Sequence, residues 1–423
     1  MGKKMRKWTV MVYLAGDNNL DAAGVTDLKE MKKVGTNDHV AVVAQFDRSG
    51  TKNHTKRYLL RSKGPLASDV VGDLGETNTG DPKVLEDFIL WAAEKYPAEH
   101  YLTVIWNHGS GWDDQDIYKV SRSMNRDIVR KETVISDTSF GKALPFASVR
   151  GVLENRMGRA LFCTSVEKAL VTGAIAFDDN ARDFLDNMEM KRVLAAVTKK
   201  LGRKIDVLGL DACLMNMIEI QYQLRDAALF CVGSEEVEPG NGWPYDTVLS
   251  AMAAEPSITL RGLSAAIVDK YVKSYRAADN VTQSACDISK AQYVADRVDG
   301  LALALADGLA DPAVNTSLIR ARSRVQSYYT ADYVDLADLC SIVREEQVGR
   351  EIRSACASVI DSITDNGMVV KCGCKGADVK HSHGISIYFP TKKISPLYAK
   401  LDFAGKTNWG AFLRAYTGNI RRR

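Results

Sequence analysis

V-L-G-L-D-A-C-L-M-N-M-I-E-I, Val207 to Ile220, begins as an apolar run, halts at Asp211-Ala212-Cys213, and continues with helical periodicity. A short continuous apolar run closed by polar residues reads as a buried strand. Leu214, Met217, Ile218 and Leu224 then share one face of a helix expected from Leu214 to Asp226. Working outward, the same alternation recurs. Trp8–Leu14 and Val40–Phe46 read as buried strands, with a helical pattern over Leu20–Val34 between them. Lys56–Arg61 reads as a hairpin partner of the second strand. Asp81 caps a helix that Pro82 opens and that runs to about Lys95. Tyr101–Trp106, Ile205–Leu210 and Leu229–Val232 complete the strands, and Asn187–Leu201 is a further helix. Continuous apolar strands separated by helices predict an α/β fold with a largely parallel sheet covered on both faces.

At 423 residues the chain is too long for one ordinary core. The expected division is a domain over 1–255 and a mostly helical region over 256–423. The latter has helices near 258–275, 291–308 and 349–365 and strand pieces at Met368–Cys372 and Gly384–Phe389. A polar, basic stretch over about 113–172 breaks the strand–helix rhythm and reads as an insertion. The apolar fraction of 46%, the charged fraction of 26% and a formal charge of +3 describe a globular protein. They give no support for a nucleic-acid partner. No run approaches a membrane span. Basic residues before Trp8–Ala15 imitate a signal peptide, but the run meets Asp17-Asn18-Asn19 without a cleavage site, so a first strand is preferred. Asp17-Asn18-Asn19 is expected to cap the following helix. The eight cysteines show no disulfide framework, which makes the cytoplasm the default compartment and leaves export open.

In open parallel sheets, ligands bind beyond the carboxyl ends of the strands. Two strands here end in reactive groups, His108 and Cys213. An imidazole can take the proton of a thiol and so create a nucleophile. A helix starting at Leu214 would favour the thiolate with its positive end. Gly109 and Cys213 offer backbone N–H groups for an oxyanion. Taken singly, Cys213 also fits a small buried hydrophobe and His108 a structural histidine, and the residues alone leave both readings open. Asp211 would raise the pKa of the thiol, so it suits recognition of a positive substrate group better than activation; pairing with a structural Arg is the alternative.

These segments resemble the clostripain family of cysteine peptidases, relatives of caspases, gingipains and legumain. The matching pieces are W-T-V-M-V-Y-L-A-G-D-N-N-L, Y-L-T-V-I-W-N-H-G-S-G-W, L-G-L-D-A-C-L-M and P-G-N-G-W-P-Y-D, with Y-V-D-L-A-D-L-C and H-G-I-S-I-Y-F-P further on. The resemblance implies a caspase-like three-layer sandwich with a mainly parallel sheet. It implies a Cys213–His108 dyad, an acyl-enzyme, and protein or peptide substrates cut after Arg or Lys. It places Asp211, Asn241 and Trp243 at the primary substrate pocket. It also implies self-cleavage in the loop after the catalytic His, where Lys119, Arg122, Arg126, Arg130 and Lys131 are candidate points. No organic cofactor is required.

Two departures from the family pattern stand out. Asn241 occupies a position where an acid is usual, with Asp246, Glu235, Glu236 and Glu238 near enough in sequence to substitute. The insertion is longer than expected, and the familial thread resumes around Ala174–Asp179. The rival readings are a nucleotide-binding enzyme, disfavoured because A-G-D-N-N-L lacks the phosphate-binding glycine spacing, and a non-catalytic binding module on a peptidase-like fold. Cys372, Cys374, His381 and His383 would share one face if Met368–Cys374 and Val379–Phe389 formed a hairpin. That is a zinc-type set, although Cys-x-Cys is not the typical spacing and an ordinary exposed hairpin is preferred.

Overall fold

Five apolar runs become parallel neighbours: β1 (Arg6–Gly16), β2 (Val40–Arg48), β5 (Ala98–Trp106), β6 (Ile205–Asp211) and β7 (Ala228–Gly233). They stand in the order β2-β1-β5-β6-β7. The computed structural model describes residues 5–17, 20–49, 54–107, 185, 187–364 and 366–421. Among these, β3 (Lys56–Leu59) pairs antiparallel with β2, as the hairpin reading expects, and β4 (Val70–Asp73) extends the edge antiparallel to β3. β8 (Val281–Asp287) and β10 (Val369–Lys375) extend the other, which makes a nine-stranded sheet. These two strands come from beyond residue 255, so the C-terminal region is part of the same sheet.

Alternation within each strand feeds two apolar layers. Met11, Tyr13, Ile105, Leu208 and Leu210 face α2 (Pro82–Lys95), α3 (Asn187–Leu201), α4 (Ile218–Leu224), α7 (Ala291–Gly308) and α12 (Trp409–Arg421). Val10, Val12, Leu14, Val104 and Val207 face α1 (Asp21–Val34), α5 (Tyr245–Ala254) and α6 (Leu260–Ser274). Helices on both faces of a mostly parallel sheet give the three-layer α/β sandwich. The strand order reverses beside β1, and the crevice this opens at the carboxyl ends is where such sheets hold ligands.

Asp81 caps α2 by accepting the Lys83 N–H at 2.8 Å, with Pro82 at the first position, as expected. Three expectations are corrected. The helix after β6 begins at Ile218, not Leu214, and is seven residues long. The N-cap of α1 is Leu20, without a side-chain cap, so Asp17 does not fill that role. The expected hairpin is absent: β10 pairs with β8, and β11 (Ser386–Tyr388) with β9 (Tyr333–Asp335). Among the described residues no group of three or more His, Cys, Asp or Glu side chains is disposed to hold a metal ion. No described helix is long and apolar enough to cross a membrane.

Candidate active site

β6 delivers Asp211 to the carboxyl end of the sheet, fully buried, with its Cα in register with Trp106 of β5. The chain then turns sharply instead of entering a helix. Leu214, directly after Cys213, has φ 61°, a left-handed conformation that costs a bulky side chain about 1–2 kcal/mol. Its neighbours hold it there. The Leu214 N–H donates to the Glu236 carbonyl at 3.2 Å and the Asn216 N–H to that of Ser234 at 2.9 Å. The Asn216 side chain donates to the Gly384 carbonyl at 2.9 Å and to the Ser284 hydroxyl, and accepts from Gln221 at 2.6 Å. The Cys213 turn is therefore clamped between β8, the loop after β7 and the C-terminal region.

Cys213 is 1% exposed, and its Sγ accepts the Glu238 N–H at 3.2 Å. The Glu238 carbonyl lies 3.8 Å from the same sulfur, and an aligned N–H is the kind of donor that stabilises a thiolate. Asp211 accepts from the Tyr245 hydroxyl at 2.7 Å and from the Trp243 N–H at 3.5 Å. The Trp243 indole is buried against Gly209; a Cβ there would lie 2.7 Å from the ring, so glycine is what lets the indole close this wall. The Tyr271 hydroxyl is buried nearby without a hydrogen-bond partner among the described residues. Burial drives its pKa well above the usual value, and the charges of Glu238, Asp211 and Cys213 push the same way. These three groups thus share one buried, aromatic-walled environment.

The four acids considered as substitutes at Asn241 separate clearly. Asp246 pairs with Lys33 at 2.6 Å near the surface. Glu236 accepts from the Val237 and Tyr329 N–H groups at 2.8 and 3.0 Å. Glu235 accepts from the Tyr328 hydroxyl at 2.8 Å and the Gly384 N–H at 3.0 Å. Glu238, fully buried, accepts from Gln283 at 3.3 Å, and it is the one of the four whose charge bears on the Tyr271 hydroxyl. Asn241 is exposed on the rim of a groove of about 1380 Å³ that runs from Asp27 and Glu30 past Trp243 to Tyr275 and Tyr328.

β5 ends at Trp106, whose indole donates to Asp27 at 2.6 Å. His108 follows Trp106 by two residues, as Cys213 follows Asp211. His108 and Gly109 lie outside the described residues, as do Lys119, Arg122, Arg126, Arg130 and Lys131. The sequence reading named Glu238 among four acids that could join Asp211, but missed Tyr245 and Tyr271, which arrive from separate helices.

One buried acid on α4 contributes to pH-dependent stability. Glu219 of α4 accepts from the Tyr388 N–H at 3.0 Å and the Tyr398 hydroxyl at 3.2 Å, while its second oxygen is buried without a partner among the described residues. Burial pushes its pKa from 4.5 up to about 7. The folded state therefore holds this proton more tightly than the unfolded chain. The resulting stabilisation is full below pH 4.5 and disappears as pH rises to about 7. Glu219→Gln is expected to flatten that slope, removing about 3 kcal/mol of pH dependence in urea unfolding curves measured on either side of the window. An unchanged slope would show that the group titrates normally.

A three-layer α/β sandwich carrying a thiol at the end of a central parallel strand, beside a groove, defines a caspase-like cysteine hydrolase. The model of the clostripain family matches residues 12–150 and 163–416. The chain belongs to the clostripain family of cysteine peptidases. The match runs through most of the stretch read as an insertion and breaks only between 150 and 163. Clostripain of Hathewaya histolytica is 24% identical over 460 residues, covering 93% of this chain and 77% of that protein. Two solved structures are similar in fold. A secreted C11 cysteine protease from Bacteroides thetaiotaomicron, bound to an irreversible peptide inhibitor, has a TM-score of 0.62 at 19% identity, covering 96% of this chain and 99% of that one. An inactive zymogen C11 protease from Parabacteroides distasonis has a TM-score of 0.64 at 18% identity, with the same coverage of 96% and 99%.

Proposed function

We propose that this peptidase is an endopeptidase that cuts proteins or peptides after Arg or Lys through Cys213 and His108. The observation that carries the reading is the Cys213 sulfur on the Glu238 amide, with the carboxylate of Asp211 buried two residues before it. His108 takes the thiol proton, and Cys213 attacks the scissile carbonyl. The N–H groups of Gly109 and Cys213 receive the developing oxyanion. The C–N bond then breaks, His108 gives its proton to the leaving amine, and water hydrolyses the acyl-enzyme. Asp211 meets the substrate cation, and Glu238 supplies the second negative charge that Asn241 does not. In the same reading, the enzyme cuts its own chain at one or more of Lys119, Arg122, Arg126, Arg130 and Lys131.

The test is a panel of fluorogenic peptides ending in Arg, Lys or a neutral residue, assayed with wild type and Cys213→Ala. Cleavage after Arg or Lys that vanishes in the variant supports the reading. Cleavage only after neutral residues sinks the specificity. No Cys213-dependent cleavage of any peptide points to a binding module on this fold.

A further inference from the structure

The segment Ser234–Glu238 does two jobs for Cys213. Its Glu238 N–H meets the sulfur, and its Ser234 and Glu236 carbonyls hold the strained turn that follows Cys213. Such a segment is useful only if something fixes it. From the sheet side, the Thr282 hydroxyl of β8 accepts the N–H groups of both Glu235 and Glu236 at 3.0 Å. From the C-terminal side, Glu236 accepts the Tyr329 N–H at 3.0 Å, and Glu235 is the side chain that engages that region with both of its oxygens.

We propose that Glu235 is a positioning residue for the nucleophile: through it the C-terminal region sets the Ser234–Glu238 segment, and with it the amide on the Cys213 sulfur. The inference rests on the reading of Cys213 as nucleophile. Both carboxyl oxygens of Glu235 are committed to that region, one to the Tyr328 hydroxyl at 2.8 Å and the other to the Gly384 N–H at 3.0 Å. Tyr328 also reaches Asp335 at 3.4 Å and Ser382 at 3.1 Å. Asp335 accepts the Asp338 N–H at 2.7 Å and so caps α9 (Leu336–Glu345); it also accepts the His383 N–H at 2.5 Å and contacts the His383 Nδ1 at 3.1 Å. This gives a role to the two C-terminal motifs, Y-V-D-L-A-D-L-C and H-G-I-S-I-Y-F-P, that the groove does not use directly. Together they build the socket into which Glu235 plugs.

Burial, reinforced by the Asp335 charge, holds the Glu235 carboxyl well above the usual carboxylate range. A glutamine keeps the size and one oxygen for the Gly384 N–H, while the Tyr328 hydroxyl can turn to Asp335 or Ser382, whereas alanine leaves the Tyr328 hydroxyl and the Gly384 N–H with an acceptor lost and frees the segment. Freeing it costs the Cys213 thiolate an aligned hydrogen bond, and a bond to a charged group is among the stronger ones.

The experiment titrates Cys213 in the full-length protein by its rate of alkylation with iodoacetamide across about pH 5 to 9, with modification at Cys213 confirmed by peptide mapping. Iodoacetamide carries no basic side chain, so its rate does not depend on recognition of a substrate cation. Glu235→Ala is expected to raise the alkylation midpoint by about one pH unit and to lower kcat about tenfold, with KM within about twofold of wild type. Glu235→Gln is expected to restore both. A purely structural residue would change the melting temperature without moving the midpoint. A folded Glu235→Ala with the wild-type midpoint and kcat overturns the proposal. If that variant does not fold, Tyr328→Phe, which keeps the ring and removes the hydroxyl, carries the test: an upward shift supports the proposal and an unmoved midpoint overturns it. If the reagent does not reach the buried Cys213 sulfur, the kcat of Glu235→Ala against Glu235→Gln carries the test; if Cys213→Ala keeps the wild-type rate, the nucleophile reading fails and this inference falls with it. A reactive Cys213 indifferent to Glu235 sinks this inference alone.

Discussion

Cys213→Ala is expected to reduce cleavage of an Arg-ending fluorogenic peptide by at least about 10³-fold and to leave the chain at full length on prolonged incubation. Without the sulfur no acyl-enzyme forms, and the residual rate is what binding and the oxyanion donors supply unaided. The substitution is mild for the fold. It removes one buried sulfur atom and its bond to the Glu238 N–H, which costs about 1–2 kcal/mol. Loss of activity in a protein that still melts cooperatively would therefore report chemistry rather than unfolding. Initial rates and intact mass are the readouts. A variant within tenfold of wild type would rule out Cys213 as nucleophile, and a variant cut like wild type would rule out self-processing.

The second large effect is expected at Asp211. Asp211→Asn should lower kcat/KM for Arg and Lys peptides by about 10²-fold, because a buried charge partner for a cation is worth about 2–5 kcal/mol. Peptides with a neutral residue in that position should change little. The amide oxygen of Asn can still accept from Tyr245, which keeps the local hydrogen bond and separates loss of charge from loss of structure. Equal loss on basic and neutral peptides would make Asp211 a structural support of the turn instead. The ratio of the two rates, not either rate alone, decides between these outcomes.

The parallel core was legible because its strands are apolar on both faces. Trp8–Leu14, Val40–Phe46, Tyr101–Trp106 and Ile205–Leu210 all lie within observed strands. β8 was not legible. Its Thr282, Gln283 and Ser284 are buried yet polar, since they serve the loop and turn around Cys213 rather than the apolar layers. α8 (Pro312–Arg324), α9 and α12 were not placed individually either, although the region was read as mostly helical. Leu214 misled because L-M-N-M-I-E-I has a helical period, whereas the backbone N–H groups of Leu214 and Asn216 bond to Glu236 and Ser234 across the turn. The Cys-x-Cys and His-x-His pairs misled in the same way. Alternation allows a hairpin, but β10 finds β8 and β11 finds β9.

By itself the sequence determined the layers, the strand ends that carry Asp211 and Cys213, and the family, because apolar periodicity and contiguous motifs are local properties of the chain. Tertiary structure alone decided what surrounds them. The Glu238 amide on the sulfur, Tyr245 on Asp211 and the Glu235 socket join residues up to 149 positions apart. Such pairings are chosen by which buried polar groups must find partners once the layers have packed, and no local pattern records that choice.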